Sequence, residues 1–117
     1  MSDVSQVRFV DYADSVTKAL DLIGARDRLP REGLIIIKPN LTNDDAPPVT
    51  TSVQAAEAVC IYCKTHSDAE VAIGEGCGRG VTHDTYEANG YVSLAEKHGI
   101  RLIDFNQEPA VRRTHPD

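Results

Sequence analysis

The stretch Leu34-Ile35-Ile36-Ile37-Lys38-Pro39-Asn40 limits what this chain can fold into more than any other. Apolar residues without alternation suit a strand covered on both faces. The run stops abruptly in an ammonium, a ring-locked residue and an amide, which must reach a wetter place. In an extended segment Lys38 and Asn40 point the same way, while Pro39 fixes the turn-off and keeps Lys38 out of helical geometry. In a parallel α/β sheet, the place just beyond the carboxyl ends of the strands is the ligand crevice.

The rest of the chain supports such a sheet. Val7-Arg8-Phe9-Val10 reads as a first strand. Asp14 or Ser15 then serves as a helix cap ahead of the stripe Val16, Ala19, Leu20 and Ile23, with Gly24 as the stop. A polar connector, residues 25–33, leads into the second strand at 34–38. Thr51 and Gln54 form a capping box opening a helix to about Thr65, whose buried stripe is Val53, Ala56, Cys60 and Cys63. A third strand at 70–74 empties into Gly74-Glu75-Gly76-Cys77-Gly78-Arg79-Gly80. Asp84 and Glu87 form a second capping box, and Asn89-Gly90 breaks the segment into two short helices, about 83–89 and 92–98. Gly99 closes the second, and residues 101–105 supply a fourth strand.

This β-α-β-α-β-α-β order predicts a three-layer α/β sandwich with a mainly parallel four-stranded sheet, Rossmann-like in its alternation. At 117 residues one domain is expected. We place it at 1–106, with 107–117 as a polar tail or a cut edge. With 5% aromatic residues and no Trp, the core must be aliphatic.

Charge and cysteine use narrow the function classes. The 18 acidic and 12 basic residues give a net charge of -6, which argues against general nucleic-acid binding. No apolar run approaches the roughly 20 residues of a membrane span, and the first residues have no signal-type pattern. A cytoplasmic location is therefore expected, with the three cysteines reduced. Cys60 and Cys63 match C-x-x-C, but they lie deep in a helix on its buried stripe, not at the helix N-terminus where a redox pair gains reactivity. Cys77, in the glycine loop, is the one thiol to watch. Three cysteines exclude a four-cysteine iron–sulfur or zinc site within the chain, and His66, His83, His98 and His115 lack zinc-type spacing. No metal is assigned.

Candidate ligand-binding residues gather at the strand ends: Lys38, Asn40, Thr50, Thr51, Gly74, Glu75, Gly76 and Arg79. A cation and an amide together can orient an anion. The blander reading has Lys38 snorkelling to solvent and Asn40 capping its own loop. Thr50 and Thr51 are ordinary helix caps, yet free N–H groups at a helix start also favour a phosphate or carboxylate. The glycine loop fits neither G-x-G-x-x-G nor the P-loop template. It leaves Glu75 as a base or metal ligand and Arg79 as an anion clamp, or both as solvated charges. No G-x-S-x-G elbow is present, and catalytic residues stay unassigned.

The Ile36-Ile37-Lys38-Pro39-Asn40-Leu41 segment, the Thr50-Thr51 helix start, Ile73-Gly74-Glu75-Gly76 and Asn89-Gly90-Tyr91 together resemble the bacterial and archaeal family called domain of unknown function 362. The resemblance runs from about Val7 to Asn106, and four separated segments agree in order and spacing. It implies no established activity. Many members carry a separate ferredoxin-like segment with cysteine clusters, and members run on past residue 117, so the resemblance implies an amino-terminal piece. A 4Fe-4S cofactor would then belong to a longer form, not to this chain. Lys38, Pro39, Asn40, Thr50, Thr51, Gly74, Glu75 and Gly76 carry over on the motif match.

Two functions are therefore expected to compete. One is a domain binding a small anionic molecule, as the substrate half of an unknown enzyme. The other is an accessory module of an iron–sulfur electron-transfer protein, partnered by a downstream segment or a ferredoxin-like protein. No nucleic-acid or membrane partner is expected. A third reading is an inert fold unit that needs the absent remainder.

Overall fold

A computed structural model describes residues 2–116. Its element order is α1 (Tyr12–Leu22), a 3-10 turn (Ala25–Asp27), β1 (Leu34–Ile37), α2 (Val53–His66), β2 (Glu70–Glu75), α3 (Thr82–Ala88), α4 (Tyr91–His98) and β3 (Arg101–Asp104). The strands form one parallel sheet in the order β1-β2-β3, so it has three strands where the sequence predicts four.

The missing strand is Val7-Arg8-Phe9-Val10. It has the residue types of a strand but no neighbour to pair with. The Val10 N–H goes instead to Ser15 Oγ at 2.9 Å, and Phe9 and Val10 are exposed. That bond also explains why Ser15 does not cap α1. The cap is Asp11, whose Oδ1 accepts from Asp14 N at 2.7 Å, three residues before the expected start.

Two other capping boxes differ for similar reasons. Thr51 Oγ1 already accepts the Asn40 N–H at 2.8 Å, so α2 begins after Ser52 with no side-chain cap. Asp84 lies inside the first turn of α3, whose N-cap is Val81. The break between α3 and α4 falls as the sequence predicts, because Gly90 takes φ of +83°, which side chains rarely adopt. Residues 109–116 carry no helix or strand and are exposed.

Register gives each side of the sheet its identity. Ile35 and Ile37 pair with Val71 and Ile73, and Ile73 pairs with Leu102. These side chains join Ala56, Cys60 and Cys63 of α2 and Tyr91, Leu94 and Ala95 of α4 in the core. The α2 stripe read from the sequence is thus the buried one. The opposite side carries Leu34, Ile36, Ala72, Ile103 and, folded over Gly74, Phe105. Leu34, Ile36 and Phe105 remain 42%, 45% and 38% exposed there. The isoleucine run is extended, but it lies at the sheet edge with one side open. Helix α1 packs on α2 and adds a layer behind that helix, while Ala72 and Ile103 on the other side of the sheet are 0% and 7% exposed. A third layer on that side is not seen among the described residues.

Candidate functional site

The carboxyl ends of the strands meet at Glu75, the last residue of β2. Its side chain is 6% exposed, and both oxygens are claimed: Oε2 accepts the Leu41 N–H at 2.7 Å, while Oε1 takes the Gly76 N–H at 3.0 Å and pairs with Lys38 Nζ at 2.8 Å. Burial alone would raise this carboxyl's pKa. The hydrogen bonds from Lys38, Leu41 and Gly76 outweigh it and hold Glu75 below the ordinary carboxylate value. Glu75 is therefore a fixed anion, not a free base, and the cation it anchors is 57% exposed at the rim.

Around this pair the chain closes a two-way clasp. Asn40 N–H donates to Thr51 Oγ1, and Thr51 N–H returns a bond to Asn40 O at 2.9 Å. Tyr91 O–H donates to Thr51 O at 2.8 Å, tying α4 to the entry of α2. The Asn40 side chain reaches toward Val49 O at 3.5 Å. Beyond Glu75, Asn106 Nδ2 donates to Cys77 O at 3.1 Å, and a Cβ on Gly76 would sit 2.6 Å from Asn106 Oδ1. Gly74 is equally confined, since a Cβ there would meet Phe105 Cζ at 2.2 Å. These glycines serve close approach within the protein.

The structure thus brings together Lys38, Glu75 and Gly76, with Asn40 and Thr51 on the adjoining loop. Thr50 stands apart: it is buried, and its hydroxyl lies 2.7 Å from Asp45 O and 3.0 Å from Asn89 Oδ1, a structural role. Arg79 also stands apart, exposed in a cleft of about 230 Å³ with Asn43, Asp44 and Asp84, and no contact among the described residues links it to Lys38 or Glu75. Cys77 is buried, with Sγ 3.5 Å from Thr82 Oγ1 and from Gly80 O, so loop position did not make it an open thiol.

Sequence reasoning missed the Leu41 N–H and Thr82. A backbone donor leaves no trace in residue identity. For Thr82 the only signal was its place just after the glycine loop. Cys60 and Cys63 are buried and free; burial, with Cys63 nearby, pushes the Cys60 thiol up to about 12, and burial raises Cys63 as well. The C-x-x-C is part of the core.

Among the described residues no group of three or more His, Cys, Asp or Glu is arranged to hold a metal, and no helix is long and apolar enough to cross a membrane. A wider groove of about 520 Å³ runs between Phe9, Tyr12, Ala58 and Ile61, but of the two carboxylates on its wall Glu57 is bound to Lys97 and His98, and Asp11 accepts the Asp14 N–H. Converging donors lie at the strand ends.

Comparison with curated proteins and with solved structures returned no match for the chain. Residues 35–116, from β1 to the tail, match the model of the family described as Domain of unknown function (DUF362), and the chain belongs to that family.

Proposed function

We propose that the strand-end rim binds a small anionic molecule, with Lys38 as its cation and the α2 entry as a second source of donors. The observation that carries this reading is the Lys38–Glu75 pair. An ammonium has three protons. One faces Glu75 Oε1 and one faces Pro39 O at 3.2 Å, which leaves the third for a ligand at an exposed position. Backbone N–H groups of Leu41 and Gly76 share the Glu75 charge, so the carboxylate does not exhaust the cation.

The start of α2 supports the same reading. Ser52 makes no side-chain cap bond, so the first N–H groups of a 14-residue helix face outward beside Thr51 and Asn40. A carboxylate or phosphate fits there. The three buried free thiols accord with work in the reducing cytoplasm. Gly74 and Gly76 act through the backbone, and Thr50 and Arg79 lie apart from the rim.

Titrating inorganic phosphate and succinate while following backbone amide resonances tests the reading. Shifts should concentrate at residues 38–41, 51–54 and 75–76, and Lys38→Gln should weaken them at least tenfold. No response at millimolar anion, or a response centred on Arg79, would overturn it.

A further inference from the structure

We propose that the groove between the amino-terminal segment and α2 is a second binding site, taking a small organic ammonium ion with an aromatic body. The groove has a volume of about 520 Å³, within the range of small-molecule sites. Phe9 and Val10 make no strand, and what they form instead is one wall of it. The other wall is the α2 face at positions 54, 57, 58 and 61, an i, i+3, i+4, i+7 stripe that meets the start of α1.

The lining selects the body of the ligand. Phe9 and Tyr12 form a T-shaped pair with ring centroids 5.1 Å apart and planes at 73°, so a ring face and a ring edge lie side by side. The segment that carries Phe9 is held in place, because the Val10 N–H donates to Ser15 Oγ and Asp3 pairs with Arg28 at 2.6 Å. Phe9 and Ile61, on opposite walls, are 62% and 44% exposed. A flat apolar body entering between them removes that surface from water.

Charge selects its head. Among the residues lining the groove none is Lys, Arg or His, whereas Asp11 and Glu57 are both carboxylates. Each spends one oxygen within the protein: Asp11 Oδ1 accepts the Asp14 N–H, and Lys97 and His98 both meet Glu57 at Oε1. Asp11 Oδ2 and Glu57 Oε2 are left to accept from a ligand. Even with Glu57 matched by Lys97, Asp11 and Asp14 outweigh the roughly half positive charge at the start of α1. An ammonium brings three donors and is attracted to an aromatic ring face within about 6 Å. A carboxylate or phosphate would meet like charges here, so the groove and the strand-end rim select opposite ions.

The test uses the full chain, labelled with ¹⁵N, and three probes: phenethylammonium, 3-phenylpropionate of similar shape but opposite charge, and ethylammonium with the same charge but no ring. Phenethylammonium should give saturable shifts at residues 9–13 and 54–61 at about millimolar concentration, the range for a ligand of this size. The other two should bind at least tenfold more weakly. Ile61→Lys sets a cation on the wall and should weaken phenethylammonium at least tenfold. Asp11→Asn keeps the helix cap while removing a charge, and should weaken it about threefold. Val49→Lys, on an exposed loop, should leave binding unchanged. No response, an equal response to either control probe, shifts centred away from the groove, or binding indifferent to both Ile61→Lys and Asp11→Asn would each overturn the proposal.

Discussion

At the level of single residues, Glu75 organises the strand ends. It joins the end of β2 and its own neighbour Gly76 to Lys38 and the Leu41 N–H, two segments of chain more than thirty residues apart. Glu75→Gln keeps the shape but puts an amide N–H where an oxygen accepts now, so a donor must face a donor. A buried group left without its partner costs on the order of 2 kcal/mol. The melting temperature should fall by about 10 °C, read by circular dichroism, since 1 kcal/mol shifts a domain of this size by about 4–8 °C. An unchanged melting temperature would remove Glu75 from that role. Lys38→Gln at the exposed end should cost less than 1 kcal/mol while weakening the anion response at least tenfold, which separates stability from binding.

At the level of elements, what could be read from residue order was what local chemistry decides. The isoleucine run is extended, the α2 stripe faces the core, and Asn89-Gly90 ends α3. What could not be read depended on neighbours. Val7-Arg8-Phe9-Val10 has strand composition, but pairing requires an adjacent edge, and Ser15 takes the Val10 N–H first. Thr51 has the chemistry of a cap, yet Asn40 claims its hydroxyl. The candidate site followed the same rule: Lys38 and Glu75 were visible as charges, while their pairing across the sheet was not. One further contact joins elements in a testable way. Tyr91 O–H donates to Thr51 O, fastening α4 to the entry of α2. Tyr91→Phe removes only that hydroxyl and should cost about 1 kcal/mol. Hydrogen exchange at the amides of residues 51–54 should quicken by about fivefold, and equal exchange in both proteins would show that α2 is held elsewhere.

At the level of the whole molecule, the carboxylates set the response to acid. Several tie elements together, among them Glu75, which holds Lys38 at the sheet, and Glu57 of α2, which holds His98 and Lys97 of α4. The hydrogen bonds from His98 and then Lys97 place Glu57 below the ordinary value of 4.5, as the contacts of Glu75 do for that group. A carboxyl depressed in the folded chain binds its proton more readily once unfolded. Its contribution is therefore complete above about pH 5.5 and drains away as the pH falls through 4.5 toward the depressed folded value. The urea midpoint should hold steady from pH 7 to about 5.5 and then decline steadily to pH 3. Glu75→Gln cannot take up that proton, so its midpoint should start lower at pH 7 and decline less steeply, the two curves converging near pH 3. Parallel curves would mean that Glu75 titrates alike in folded and unfolded chains, and that Lys38, Leu41 and Gly76 do not favour its ionised form.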